Sequence, residues 1–191
     1  KHIRADFLEK WLKDLREMTG KKLFSVGEYW STNLISLQNY LDENNNDMCL
    51  FDVPLHYNFF NASNSNGNFD MRTILDNTLV KTRPDSAVTF VDNHDTQPGQ
   101  ALCSWVQDWF KPLAYAIILL RKNGLPCVFY GDYYGIPHDN ISEKSDILEK
   151  LIKARKYFAY GDLKDYFDHP NSIGWTMSGD YEHPDSGLAV V

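Results

Sequence analysis

Two short apolar runs of this chain end in carboxylates, and paired carboxylates can do acid–base chemistry. The run Phe-Val-Asp-Asn-His-Asp at residues 90–95 ends in two aspartates, an asparagine and a histidine. The run Leu-Phe-Ser-Val-Gly-Glu-Tyr-Trp at residues 23–30 carries one glutamate and two aromatic rings. Cleavage of a glycosidic bond needs one carboxyl group that donates a proton and another that stays ionised. Glu28 and Asp95 are therefore the candidate catalytic carboxylates.

Each candidate also has a purely structural interpretation. Glu28 could be a solvated glutamate at a strand end. In the second run Asp92 is the rival carboxylate; it lies earlier on the strand, so we expect it to be structural and assign the chemistry to Asp95. His94 could bind a sugar hydroxyl, although a histidine in a turn is more often structural. Trp30 could stack on a sugar ring or pack in the core.

The elements that must position these residues alternate along the chain. Apolar runs predict strands at residues 23–26, 48–55, 86–91 and 125–130, with Pro54 marking the end of the second. Apolar residues at three- and four-residue steps predict helices at residues 3–18, 34–41, 71–79, 113–120 and 147–160, and residues 61–68 are predicted as a loop. Strict alternation predicts a parallel sheet with right-handed crossovers. Four strands make half of an eight-stranded (β/α)8 barrel. Because the chain opens on a helix and stops within an apolar run, we expect it to be part of a longer enzyme.

The pattern changes near residue 168. Residues 172–176 and 187–191 predict two antiparallel strands on either side of a polar turn. The predicted fold is thus an α/β partial barrel over residues 1–167, followed over residues 168–191 by the start of an antiparallel β-domain.

Composition excludes several partners. The 191 residues carry a net charge of -7, which argues against a nucleic-acid partner. No apolar run approaches the roughly 18 residues that a membrane span requires, so no membrane partner is expected. Three widely spaced cysteines cannot form a full disulfide set and favour a reducing compartment such as the cytoplasm over secretion.

Five motifs in fixed order carry a resemblance to a known family. They are Lys-His-Ile at residues 1–3, Gly-Glu-Tyr-Trp at 27–30, Phe-Asp-Val-Pro-Leu at 51–55, the run at 90–95, and Phe-Tyr-Gly-Asp-Tyr-Tyr-Gly at 129–135. In this order they resemble the α-amylases, specifically the bacterial liquefying branch. The resemblance implies a retaining mechanism with three acids on a (β/α)8 barrel. Glu28 matches the family's acid/base and Asp95 its transition-state stabiliser, while the nucleophilic aspartate would lie just before Lys1.

The same resemblance implies the remaining site residues. Lys1, His2, Trp30 and His94 match substrate-binding positions, and the backbone carbonyl of His2 matches a ligand of a structural Ca2+ in the intact enzyme. An acid such as Glu28 works when an apolar surrounding keeps it protonated, and Val26 and Trp30 could supply that wall.

The implied activity is retaining endo-hydrolysis of internal α-1,4-glucosidic bonds in starch, glycogen or maltodextrins, by an enzyme that is monomeric when intact. Without the nucleophile, we expect the 191-residue chain alone to be inactive. Two alternatives stay open: a relative that transfers glucan units or trims oligosaccharides, and a non-catalytic glucan-binding protein.

Overall fold

A computed structural model describes residues 3–191. The strands are β1 (Val26–Gly27), β2 (Cys49–Phe51), β3 (Ala87–Phe90), β4 (Leu125–Cys127), β5 (Leu163–His169), β6 (Ser172–Met177) and β7 (Leu188–Val190). The α-helices are α1 (Ala5–Thr19), α2 (Leu34–Glu43), α3 (Val53–Asn64), α4 (Leu79–Thr82), α5 (Lys111–Leu120), α6 (Tyr130–Tyr134) and α7 (Ser145–Phe158). Short 3-10 helices occupy Met71–Thr73, Pro84–Ser86 and Pro137–Asp139.

The first four strands form the predicted parallel sheet in sequence order, β1-β2-β3-β4. In register, Gly27 pairs with Leu50, Leu50 with Ala87, and Val88 with Leu125. All four residues of β3 are buried, whereas β1 and β4 at the sheet edges are largely exposed. A strand that is buried on both faces reads as a continuous apolar run, which explains why the sequence identified β3.

The helices α2, α3 and α5 pack against the central strands β2 and β3. Their buried side chains are part of one apolar core, which includes Tyr115, Phe59, Leu37 and Leu41. The helix α1 ends as predicted at Gly20, which adopts the left-handed conformation (φ 65°) and donates its N–H to the carbonyl of Arg16.

The second predicted strand is wrong beyond Phe51. The helix α3 begins at Val53, and Asp52 is its N-cap, accepting a hydrogen bond from the N–H of Leu55 at 3.2 Å. Pro54 lies in the first turn, where its missing N–H costs nothing. An aspartate followed by X-Pro is thus a helix start here and not the end of a strand.

Further boundaries differ from the prediction. The first strand covers Val26–Gly27 and not residues 23–26. The helix α3 continues to Asn64, into the predicted loop, because it buries Ala62 and Ser63. The predicted helix over residues 71–79 is only a 3-10 turn; Asn77 takes a positive φ of 56° and the Thr78 side chain then caps the short α4. The fourth strand stops at Cys127, and the helix α6 starts at Tyr130.

The antiparallel sheet has three strands in the order β5-β6-β7, one more than predicted. It contacts the C-terminal end of α5: the indole N–H of Trp175 donates to the carbonyl of Leu120 at 3.1 Å, and Arg121 pairs with Asp165. The division of the chain at residues 167/168 stays a prediction, although the antiparallel sheet itself begins at Leu163. Within residues 3–191, every helix is too short or too polar to span a bilayer.

Candidate active site

The carboxyl ends of the parallel strands bring the predicted catalytic residues to one edge of the sheet. Glu28 directly follows β1, and the 92–95 segment follows β3. Because β2 lies between them, the axes of β1 and β3 are separated by about 9–10 Å. Substrates of parallel α/β barrels bind at this edge, so the arrangement suits a shared site.

Glu28 is exposed, and so is Val26, at 40%. Val26 therefore does not form the closed apolar wall that we expected around the Glu28 carboxyl group. An open cleft of about 610 Å3 between α1 and residues 23–29 includes Glu28 but not Asp95. This cleft lies at the β1 edge of the sheet and is lined by only one of the two carboxylates.

Trp30 lies against an aromatic cluster and stays partly exposed. Its ring centroid is 5.9 Å from that of His56 and 6.2 Å from that of Phe90, in tilted geometry. Both interpretations of this residue are thus compatible with the structure: part of the ring packs, and part faces solvent.

The Asp95 segment is held by its own side chains. The Oδ1 atom of Asn93 accepts the backbone N–H groups of Asp95 (2.9 Å) and Thr96 (3.0 Å). In return, the Thr96 hydroxyl accepts the N–H of Asn93 at 2.9 Å. The Asp95 side chain remains 41% exposed, and Nε2 of the exposed His94 lies 3.6 Å from its carboxylate. The backbone is therefore fixed while the carboxylate stays accessible.

Asp92 is buried beneath this segment, in agreement with the structural role expected for it. Its Oδ2 lies 2.9 Å from Nζ of Lys111 and accepts the N–H of Val106 at 3.2 Å, and its Oδ1 accepts the Thr96 hydroxyl at 2.8 Å. Burial raises the pKa of Asp92 to about 7; Lys111 lowers the pKa and nearby Asp132 raises it.

Sequence reasoning missed the buried lysine that pairs with Asp92. The side chains of Lys111 and Asp132 are both inaccessible, and Nζ of Lys111 also contacts the carboxylate of Asp132. The phenol of Tyr115 donates to Asp132 Oδ2 at 2.6 Å, and the Lys111 ammonium lies 3.1 Å from the ring centroid of Trp105. The sequence did hold one indication of this buried charge: Lys111 is the only charged residue of the otherwise apolar helix α5.

Asp52, after β2, is the second buried carboxylate at this edge. It accepts three backbone N–H groups, from Leu55 (3.2 Å), Leu79 (3.1 Å) and Val80 (2.7 Å), and so joins the N-termini of α3 and α4. Burial raises its pKa to about 6, while these donors lower it.

His56, which sequence reasoning also missed, links β3 to a later loop. Its Nδ1 lies 2.6 Å from the carbonyl of Val91 and must donate to it, so Nε2 of the neutral ring is an acceptor, 2.8 Å from the Ser104 hydroxyl. The imidazole stacks on Phe90 with centroids 5.2 Å apart. The pKa of His56 is lowered to about 4, chiefly by burial and in smaller part by Lys111, while the hydrogen bond to Val91 raises it.

Two predicted substrate residues, Lys1 and His2, lie outside the described residues, and so does the His2 carbonyl predicted for calcium. Among residues 3–191, no three His, Cys, Asp or Glu side chains are grouped to hold a metal ion. Because family calcium sites were expected to use backbone carbonyls, the calcium site stays a prediction.

The family model for the alpha amylase catalytic domain matches residues 3–168. The chain belongs to the alpha-amylase family. An alpha-amylase of Geobacillus stearothermophilus is 58% identical over all 191 residues, which cover 35% of that protein. A glucan 1,4-alpha-maltohexaosidase of Bacillus sp. (strain 707) is 51% identical over the whole chain, covering 37% of that protein. The chain thus spans about a third of the length of these curated relatives.

Solved structures place the fold in the same family of barrels. An Anoxybacillus alpha-amylase aligns with a TM-score of 0.67 at 17% identity, over 94% of this chain and 44% of that one. A cyclomaltodextrin glucanotransferase aligns with a TM-score of 0.68, over 92% of this chain and 40% of that one. The parallel sheet of this alpha-amylase family chain is therefore a four-stranded part of a (β/α)8 barrel, as predicted.

Proposed function

We propose that this chain supplies two of the three catalytic acids of a retaining endo-hydrolase, which cleaves internal α-1,4-glucosidic bonds of starch, glycogen or maltodextrins. Glu28 is the general acid/base and Asp95 the transition-state stabiliser. The observation that supports this assignment is the placement of both carboxylates at the carboxyl edge of one parallel sheet, accessible to a glucan. Membership of the alpha-amylase family supports the α-glucan substrate.

In the proposed reaction, Glu28 protonates the leaving glycosidic oxygen while a nucleophilic aspartate, just before Lys1 in the full-length enzyme, attacks the anomeric carbon. Glu28 then takes a proton from the water that hydrolyses the glycosyl-enzyme. Asp95 stays ionised and offsets the positive charge that develops on the sugar ring in both steps.

Substrate contacts surround this pair. His94 offers a ring nitrogen beside Asp95, and the exposed part of the Trp30 ring can stack on a sugar. Lys1 and His2 are proposed for the leaving-group side, with the His2 carbonyl as one ligand of a Ca2+ in the intact enzyme. The ion would be structural, as the resemblance implies, and its remaining oxygen ligands would come from other residues of the intact enzyme.

The sharpest test is Glu28→Gln in the full-length enzyme, assayed on two substrates. We expect kcat on a maltooligosaccharide to fall about 10³-fold, because protonation by a general acid contributes 10²–10⁴-fold. An α-maltosyl fluoride, whose leaving group needs no protonation, should lose much less in the glycosylation step. The exposed Glu17 on α1 gives the matched control, Glu17→Gln, with unchanged rates. Equal losses in the glycosylation step on both substrates, measured as kcat/KM, or no loss on either, would contradict the role of Glu28 as the acid.

A second candidate function is oligosaccharide trimming with a defined product. It is favoured by the 51% identity to a protein named a maltohexaosidase. The two functions differ in how the full-length enzyme degrades amylose. A mixed set of short products with a rapid loss of viscosity is expected for endo-hydrolysis, while one dominant product supports the second candidate.

The retaining mechanism is tested separately. NMR should detect the α-anomer as the first product of hydrolysis.

A further inference from the structure

The helix α5 begins with a lysine that is completely buried. Its ammonium contacts the carboxylates of Asp92 and Asp132 and the face of Trp105, and none of the three charged side chains reaches solvent. Removing three charges from water is costly, and apolar residues of similar size would fill the same volume at lower cost. A buried ionic cluster of this kind therefore calls for a role beyond filling the core.

Hydrogen bonds lead without a gap from this cluster to Asp95. Oδ2 of Asp92 faces Lys111 at 2.9 Å, and Oδ1 of the same carboxylate accepts the Thr96 hydroxyl at 2.8 Å. The Thr96 oxygen accepts the N–H of Asn93, and the Asn93 side chain accepts the N–H of Asp95, both at 2.9 Å. Each of these groups is fixed by the one before it.

We propose that Lys111 is a positioning residue for Asp95: by holding Asp92 ionised and in one orientation, it fixes the Asp92–Thr96 segment that presents the Asp95 carboxylate to substrate. The inference rests on the proposed function, because it gives Lys111 a role only if Asp95 takes part in the reaction.

The direction of each hydrogen bond explains why the charge matters. An ionised Asp92 can only accept, so the single hydroxyl proton of Thr96 must point towards it, and the Thr96 oxygen is left to accept the N–H of Asn93. A protonated Asp92 could instead donate to Thr96, and the Thr96 hydroxyl proton would then be free to turn to the backbone carbonyl of Asn93, 3.3 Å away. Burial favours the protonated form, Lys111 opposes it, and the other titratable groups facing the cluster, Asp132 and Tyr115, carry no positive charge to replace it.

The test compares Lys111→Met and Asp92→Asn in the full-length enzyme. We expect each variant to lower kcat on a maltooligosaccharide about 10²-fold with KM changed less than about threefold, because small displacements of a catalytic group cost about that much. Lys111→Arg, which keeps the charge, should recover part of kcat. The matched control is Arg121→Met, at the other end of α5. It removes a largely buried partner of Asp165, far from the Asp95 segment, and should lower Tm with kcat unchanged.

Combination with Asp95→Asn separates positioning from general destabilisation. If Asp92 acts through Asp95, then Asp92→Asn should lower kcat no further in the Asp95→Asn background. The same fold-loss in both backgrounds would overturn the proposal, as would a lower Tm with kcat within about twofold of wild type. If Lys111→Met does not fold, the isosteric Asp92→Asn variant is compared in the wild-type and Asp95→Asn backgrounds instead.

Failure of the proposed function would look different. In that case Asp95→Asn would leave kcat unchanged, and Lys111 would then have no catalytic group to position. If Asp95→Asn loses activity while Asp92→Asn and Lys111→Met keep it, only the positioning role fails.

Discussion

Four of the carboxylates that follow strands of the parallel sheet, those after β1, β2 and β3, divide into two pairs. Glu28 and Asp95 are accessible to solvent, whereas Asp52 and Asp92 expose no more than 2% of their surface. Glu28 and Asp52 both directly follow a strand, so position relative to the strand does not decide burial. What differs is the set of partners. The two buried carboxylates accept hydrogen bonds from groups of the protein, whereas the two accessible carboxylates are free to interact with a substrate.

The two buried carboxylates are also satisfied in different ways. Asp52 accepts three backbone N–H groups at the starts of two helices, and Asp92 faces the ammonium of Lys111. Backbone donors are fixed by the fold and act on stability. A side-chain cation can instead orient the carboxylate and the segment bonded to it, as proposed for Lys111 and the Asp92–Thr96 segment. The contrast predicts separate effects on activity and on stability, which the following variants of the full-length enzyme test.

The largest effect is expected at the accessible pair. Asp95→Asn should lower kcat about 10³-fold, because the amide cannot offset the positive charge of the transition state. Its Tm should stay within about 2 °C of wild type, since the side chain is 41% exposed. Steady-state kinetics and a thermal melt on the same preparation check both values. A large loss of Tm would place Asp95 with the buried carboxylates instead.

At the buried pair, Asp52→Ala should lower the free energy of unfolding by about 3–4 kcal/mol, because it leaves three buried N–H groups without an acceptor. The control is Asp70→Ala, which removes an exposed carboxylate that caps the Met71–Thr73 turn through the N–H of Arg72. That change should cost less than about 1 kcal/mol. Denaturant unfolding followed by circular dichroism measures both, and equal losses would contradict the division into pairs.

The buried histidine beside Asp52 adds a pH dependence. Burial lowers the pKa of His56 to about 4, below the 6.5 of an exposed histidine, so between these values the unfolded chain binds the extra proton. The contribution of His56 to stability is therefore complete above pH 6.5 and is lost as pH falls towards 4, by about 3 kcal/mol in total. The burial-raised pKa of Asp52 works in the opposite direction over roughly pH 4–6, which makes a difference measurement necessary.

The measurement is the unfolding free energy of wild type minus that of His56→Gln between pH 4 and 7. We expect this difference to shrink as pH falls, because glutamine keeps hydrogen-bonding atoms near Val91 and Ser104 but does not titrate. A difference that stays constant over the window would show that His56 has an ordinary pKa.

The smallest effect is expected at an exposed cap near Glu28. Asn33 accepts the N–H of Ser36 at 3.1 Å and starts α2, so Asn33→Ala should cost about 1 kcal/mol. Asn39→Ala, on the exposed face of the same helix, is the control and should be neutral or slightly stabilising because alanine has the higher helix propensity. Equal losses at both positions would show that the cap contributes nothing specific.

Local patterns predicted most of the scaffold and failed where one residue had two local interpretations. Four apolar runs and helical periodicity were enough to predict four strands in one parallel sheet, since each signal lies within a few neighbouring residues. The error at Asp52 arose because an aspartate before Val-Pro fits both a strand end and a helix cap. The strand β5 was missed because five of its seven residues are exposed, three of them charged, and its burial does not alternate.

By itself, the sequence determined that Glu28 and Asp95 each follow a strand of one alternating fold and that the chain carries the motifs of the alpha-amylase family. Only the tertiary structure decided which carboxylates are buried and what neutralises them. The reason is separation along the chain: Lys111 meets Asp132 across 21 positions, Val80 meets Asp52 across 28, and His56 meets Val91 across 35. No local pattern encodes such pairs, because they form only when the helices pack against the sheet.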